Sequence, residues 1–394
     1  MGGKTLVVVG AGPAGLRAAE VAAARGGRVV VCDGQASAGR KFLIAGRGGL
    51  NLTHSEAVED FPARYRTEPQ RWHDLLAEFG PDALRAWARE LEVETYVGTS
   101  RRVFPKGQKA ARLLRAWLER LRKAGVEFRY HAPLTGLTRE GPRWHLKFGS
   151  GEPASADAVV LALGGASWPE TGSNGAWPSL LVGYGVKVAP FIAANCGWNV
   201  AWPPGLRERA EGLPLKNLRV TAGDETVSGE LLITRYGLEG GAIYRLGPVL
   251  RAMAKPKLQI DFKPQVSAEG LRARAAPFRL PNEWFRAWKL SPAAVALLEN
   301  YLPDELGDRD RLLVRLKNFV LSLESTRPIE EAISSAGGVC WNELSESLML
   351  HKMPGVFLAG EMIDWEAPTG GYLLQGCFST GTRSGRCAGK YIGL

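Results

Sequence analysis

Three glycines, Gly10, Gly12 and Gly15, stand at GxGxxG spacing between a short apolar run at residues 6–9 and an alanine-rich stretch at residues 16–25. A second apolar run, residues 29–32, ends at Asp33. Each position in this order has a chemical use. The first glycine turns the chain tightly, the second lets a pyrophosphate lie against the backbone, and the third lets a helix pack closely on its strand. Pro13 and Ala14 open that helix, whose free N–H groups and partial positive charge suit phosphate oxygens. Asp33, followed by Gly34, stands near the spacing of a carboxylate that binds adenosine ribose hydroxyls. GxGxxG alone is a weak signal. Strand, turn, helix, strand and acid together predict a dinucleotide site.

GRKFLIAGRGGLNLTH follows at residues 39–54, with four glycines, three cations (Arg40, Lys41 and Arg47) and no acid. Glycines permit close approach and cations suit phosphates, so this is either a ligand loop or a solvated surface loop.

The elements that must hold such a site recur along the chain. DAVVLALGG, residues 157–165, reads as a strand ending in glycines that include Gly164. MPGVFLAGEMID, residues 353–364, reads as another, with Gly360 and Glu361 after it. Gly370 and Gly371 then mark a helix start at Tyr372 and Leu373. A late strand–glycine–acid element of this kind resembles that of FAD enzymes of the glutathione-reductase-like superfamily. There the acid bonds the ribityl chain and the next helix points its N-terminus at the flavin pyrimidine ring. The cofactor domain is thus expected to be split, with its last piece near the C-terminus.

Five stretches then occur in order: GRKFLIAGRGGLNLTH, RRVFP, LALGGASWPETGSNG, GELLITRYGLEGGAIY and GVFLAGEMIDWEAPTGGYLLQ. Together they resemble a family of bacterial FAD-dependent flavoproteins. That family includes bile-acid-inducible reductase-type oxidoreductases and the enzymes that make dihydrouridine in ribosomal RNA. The resemblance spans nearly the whole chain. It implies an α/β fold: a split Rossmann-like FAD-binding domain with an inserted β-domain and a small helical domain. It also implies that Gly39, Arg40 and Lys41 line the adenosine and pyrophosphate side, and that Gly46, Gly48, Gly49 and Asn51 run past the isoalloxazine. In the superfamily a backbone pair holds adenine, and Leu134 is the candidate here. The chain departs from the family in places. Leu50 stands where a cysteine is frequent, His54 where Asn is more usual, Arg235 where His is common and Gly241 where Pro is common. No role of that cysteine carries over, and substrate choice is expected to differ.

KGQKAARLLRAWLERLRKAG places Ala110, Leu113, Leu114, Trp117, Leu118 and Leu121 on one helical stripe, with cations mainly off it. VEFRYHAPLTGL reads as the following strand. Residues 1–190 and 326–394 are expected to form the FAD-binding domain, 191–266 with 319–325 a β-domain, and 267–318 a helical subdomain. Ser291 and Asp308 are helix-start candidates.

Composition sets outer limits. The 394 residues suggest two or three domains, and an apolar content of 45% is ordinary for a soluble protein with a sizeable core. The five cysteines, Cys32, Cys196, Cys340, Cys377 and Cys387, are odd in number and show no CxxC pair. Together with an opening that runs straight into a strand, they point to a reducing cytoplasm, without a structural zinc or a redox dithiol. The five histidines lack HxxxH or HxH spacing, so no metal site is expected. No apolar run reaches transmembrane length. Net charge is +10, and residues 245–289 hold ten Lys or Arg against three acids. In FRLPNEWFRAWKL, Trp284 and Trp288 share core spacing while Arg279, Arg286 and Lys289 offer a cationic surface suited to nucleic acid.

Flavin would carry the redox chemistry, the protein its position and electrostatics. There is no second GxGxxG, so NAD(P)H as electron donor would bind transiently. Hydride transfer to a polarised C=C also needs a proton. Tyr236, Tyr372, Arg235 and Cys196 are the catalytic candidates, each with a structural reading beside it. Three functions stay open: reduction of an activated C=C, led by uridine in ribosomal RNA; the same chemistry on a small-molecule enone; and a non-catalytic flavin-bearing RNA-binding or redox-sensing protein.

Overall fold

The five buried residues Thr5–Val9 form the middle strand of a parallel sheet. A computed structural model describes residues 4–107 and 109–394. Thr5–Val9 pairs in register with Arg28–Cys32 on one side and Ala158–Leu161 on the other. Glu127–Arg129 and Val356–Leu358 complete the two edges. Strands this apolar are buried on both faces. The helix Pro13–Ala23 leaves the first strand and the C-terminal helix Tyr372–Tyr391 packs on it.

That last helix carries Gly376, Gly381, Gly385 and Gly389, each costing about 1 kcal/mol relative to alanine in a helix. Close approach is the compensation. A Cβ on Gly381 would lie 2.4 Å from the Ala14 carbonyl oxygen, and one on Gly385 would lie 2.3 Å from that of Ala18. The two helix backbones therefore touch. The buried hydroxyls of Ser379 and Thr380 donate to the carbonyls of Gln375 (2.9 Å) and Gly376 (2.6 Å), so no donor is stranded.

Two local expectations change. The basic stretch begins as a helix, Arg40–Ala45, capped by Gly39 at φ +68°, whose N–H donates to Ala11 in the glycine turn (2.9 Å). VEFRYHAPLTGL is two strands, not one. Glu127–Arg129 belongs to the parallel sheet, whereas Leu134–Glu140 opens a separate antiparallel sheet with Arg143–Phe148 and Ala154–Ala156. His131 at φ +54° turns the chain between them, and Pro133 has no N–H to donate. The helix Ala110–Lys123 buries the expected stripe except Leu118, which is only partly covered, with Trp117 and Leu121 fully covered.

Residues up to 192 with 334–394 form one compact unit and residues 193–333 a second. In the second, six antiparallel strands run in the order Trp198–Asn199, Gly237–Glu239, Glu225–Ile233, Pro214–Ala222, Lys257–Asp261, Phe319–Ser322. The helices of residues 267–318 share one apolar core with this sheet, into which Trp284, Phe285 and Trp288 are buried. Ser291 and Asp308 cap their helices, accepting from Ala294 N–H and from the Asp310 and Arg311 N–H groups.

Candidate active site

The first unit gathers the glycine turn at the C-terminal ends of its strands, where open α/β sheets bind ligands. Gly10 and Gly15 are fixed by protein alone. A Cβ on Gly10, which has φ +108°, would lie 2.2 Å from Ala162 O, and one on Gly15 would lie 1.9 Å from Gly10 O. Gly12 differs: a Cβ there would meet no protein atom within 4 Å. Its lack of a side chain has no cause within the protein, and it leaves room for a group to lie against the backbone.

Asp33 leaves its strand with one carboxylate oxygen accepting from Ala11 N–H (2.6 Å) and the other from Gln35 N–H (2.7 Å). Burial raises its pKa against those two bonds. Its backbone pairs with Arg129 and Ala132, and a Cβ on Gly34 would lie 3.3 Å from Pro133. The segment leading to Leu134 thus runs beside the acid. Lys41 reaches the other way, its ammonium donating to the Ser167 carbonyl (2.7 Å), two residues beyond Gly165. Arg40 Nε and Asn51 Oδ1 are buried without a protein partner. Gly46 and Gly49 border a cleft of about 460 Å³ with Lys109 and Ala110.

The late elements meet this turn. Gly360, at φ +73°, lies so near that a Cβ would be 2.8 Å from that of Ala14, and Glu361 follows it. Gly164 accepts from the Trp177 indole (2.8 Å). Gly370 and Gly371 both have φ above +100°, and a Cβ on Gly371 would lie 2.4 Å from the Thr53 backbone. Leu373 is partly buried in the adjoining core. A donor-lined glycine cradle, an acid beside it and two unpartnered polar atoms are features a dinucleotide such as FAD fits.

Tyr372 lies in the first unit. Its hydroxyl donates to Glu56 (2.7 Å), Arg64 pairs with the same carboxylate (2.6 Å), and His54 and Phe61 pack on its ring. Burial and Glu56 push the phenol's pKa well up. Burial works against the Glu56 carboxylate, but hydrogen bonds from Arg64 and Tyr372 outweigh it and hold it below the usual range.

The other three candidates lie in the second unit. Glu239 accepts both the Tyr236 hydroxyl (2.5 Å) and the Tyr244 hydroxyl. Burial and this carboxylate push Tyr236 up to about 12. The Arg327 guanidinium lies 4.2 Å over the Tyr236 ring. Cys196 is buried near the same carboxylate, and desolvation pushes its thiol up to about 11. Arg235 is exposed. Sequence reasoning missed Glu239, Tyr244, Arg327, Glu56 and Arg64. The YxxE spacing of Tyr236 and Glu239 is a faint local signal; the pairing of Glu56 with Tyr372 has none. Among the described residues no group of three or more His, Cys, Asp or Glu could hold a metal, and no helix is long and apolar enough to cross a membrane.

Comparison with known proteins gives the family and the fold. The model of the HI0933-like protein Rossmann domain matches residues 4–387. A 3-dehydro-bile acid delta(4,6)-reductase of Clostridium scindens is 27% identical, over 97% of this chain and 98% of its own. A ribosomal RNA dihydrouridine synthase of Escherichia coli is 24% identical over 95% of each. Two solved structures share the fold: a 3-ketosteroid delta1-dehydrogenase from Sterolibacterium denitrificans (TM-score 0.55, 13% identity, 98% of this chain and 100% of that one) and a 3-ketosteroid-delta4-(5alpha)-dehydrogenase from Rhodococcus jostii (0.52, 17%, 98% and 97%).

Proposed function

We propose, for a chain that belongs to the HI0933-like family of FAD-dependent oxidoreductases, that it reduces an activated C=C bond, with a uridine of ribosomal RNA as leading substrate and NAD(P)H as transient electron donor. When bound, FAD supplies the hydride that one alkene carbon accepts. The chain's residues do the rest. Gly12 and the start of Pro13–Ala23 receive the pyrophosphate, with Gly39, Arg40 and Lys41 beside it, and Asp33 takes the adenosine ribose. Leu134 offers backbone to adenine. Gly46, Gly48, Gly49, Asn51, Gly164, Glu361 and Gly370 to Leu373 serve the remaining length of the cofactor.

The second alkene carbon needs a proton, and the phenols of Tyr372 and Tyr236 are the candidates to supply it. Tyr236 is part-buried beside exposed Arg235, and Tyr372 is buried between His54 and Phe61. Raised pKa values keep both phenols protonated at neutral pH. Glu239, between two phenols, orients Tyr236, and Glu56 orients Tyr372.

The observation that favours RNA is unneutralised charge. Lys255, Lys257, Arg274, Arg279, Arg286 and Lys289 are exposed without an ion pair among the described residues. Of the acids in that segment, Asp261 is engaged by Lys317 (2.7 Å) and Glu283 by the Arg279 and Leu280 N–H groups. Such a surface suits phosphates. The bile-acid reductase relative favours a second reading, in which the same chemistry acts on a small enone.

The test is the mass of ribosomal RNA from a cell lacking this protein. One uridine should lose its two added hydrogens, and wild type should restore them, with Tyr372→Phe and Tyr236→Phe separating the two candidate proton donors. Unchanged dihydrouridine in the null cell would remove the RNA reading, and NAD(P)H-dependent turnover of an enone by the pure protein would then carry the second.

A further inference from the structure

The second unit contains a cleft of about 390 Å³ between residues 213–218 and 289–294, floored by Phe262 and Lys263. Lys216, Lys263 and Lys289 all line it. None of the three has an ion pair among the described residues. Lys263 is half-buried and donates to the Lys289 carbonyl (2.5 Å), which draws the two chain segments' cations together. Burial, Arg274 and Lys289 all lower its pKa, so positive charge is crowded here rather than balanced. Asp261, two residues before Lys263, accepts the Lys263 backbone N–H and is paired with Lys317.

Backbone strain converges on the same place. Lys289 has φ +53° at the end of the helix Pro281–Ala287. Its N–H bonds Arg286 O and the Leu290 N–H bonds Phe285 O, the double closure that usually places glycine at this position. A lysine there gives up conformational ease for a cation. Across the cleft, a bulge between Leu215 and Leu218 inserts an extra residue, with Asn217 at φ +56° and Lys216 beside it. Bulges re-aim side chains, and unfavourable φ values gather where function holds them.

We propose that this cleft is a phosphodiester-binding subsite for RNA, with Lys216 and Lys289 contacting phosphate oxygens and Lys263 fixing Lys289. The proposal rests on the RNA reading above. Lys216→Glu/Lys289→Gly tests it, because glycine relieves the strain at residue 289 and keeps the fold. FAD content and the melting temperature should match wild type or exceed it. Affinity for a uridine-containing RNA hairpin should fall about ten- to a hundredfold, the loss of a charged contact or two. The log–log salt slope should drop by about 0.7 to 1.4. A variant of equal charge change on the other unit, Arg115→Glu/Lys123→Gln, should bind as wild type does. If the cleft variant binds the hairpin like wild type, the subsite is refuted while the RNA reading stands. If it loses only inorganic phosphate binding, the cleft holds free phosphate and the RNA role is refuted. If wild-type protein itself does not bind the hairpin, the RNA reading fails and takes the subsite with it.

Discussion

Gly12 and Gly15 sit three residues apart, and the structure assigns their glycines different causes. Gly12 has φ −79° and ψ 178°, a conformation open to any residue, and a Cβ there touches no protein atom. Gly12→Ala should therefore leave the apoprotein within about 1 kcal/mol of wild type, the small gain from a stiffer unfolded chain offsetting a poorer helix cap. Flavin binding should suffer far more. The methyl group would occupy the space of a pyrophosphate oxygen, adding about 1–3 kcal/mol of overpacking and displacing a charge-assisted hydrogen bond of about 1.5–3 kcal/mol. The sum is a loss of roughly a hundredfold to ten-thousandfold in Kd. Gly15→Ala should behave in reverse order. Its Cβ would lie 1.9 Å from Gly10 O, so apoprotein stability should fall by about 3 kcal/mol or more before any cofactor is added. The assay is a thermal melt of each apoprotein followed by titration with FAD, read as quenching of flavin fluorescence. Near-normal FAD affinity in Gly12→Ala, or equal destabilisation by both changes, would refute the reasoning.

Other outcomes are equally specific. Burial opposes the Glu78 carboxylate, but hydrogen bonds from Arg386 and Arg383 outweigh it and hold its pKa below the ordinary 4.5; that stability is present above this value and lost as pH falls through the lower folded one. Glu78→Gln should therefore cost stability at pH 7 and flatten the acid side of a melting profile. Cys32, Cys340, Cys377 and Cys387 form no pairs, and burial raises the thiols of Cys32, Cys377 and Cys387, so Cys→Ser at each should change melting temperature more than the rate of flavin reduction in stopped flow. Reversing Arg272, Arg274, Arg279 and Arg286 to Glu should leave FAD content intact and abolish RNA retention on a filter; unchanged retention would make these arginines a solvated face.

Much of the cofactor fold was legible because its signals are local. GxGxxG, the apolar strands and Asp33 lie within 33 residues, and the late strand, Gly360 and Glu361 repeat a compact pattern. Core spacing likewise foretold that Trp284 and Trp288 are buried. What escaped depends on distance or on a single dihedral angle. Glu56 and Tyr372 are 316 residues apart, and nothing in either neighbourhood encodes their bond. The break in VEFRYHAPLTGL turns on His131 entering the left-handed region, which propensity does not foresee. The helix Arg40–Ala45 was hidden by flanking glycines that suggested a loop, although its own RKFLIA suits a helix.

The touching helices have a consequence for synthesis. Pro13–Ala23 leaves the ribosome early, yet the surface it packs against is Tyr372–Tyr391, and the edge strand Val356–Leu358 arrives just before that. At about 5–20 residues per second the first helix waits roughly 20–70 s for its partner. During that interval the second unit can close on its own core. The first unit's sheet has an open edge, and the alanine-lined face of its first helix, with Ala14 and Ala18, has nothing to meet. Closure of the first unit thus waits on residues 356–391, and a nascent chain halted before residue 356 would emerge colourless and with a strand edge free to pair elsewhere.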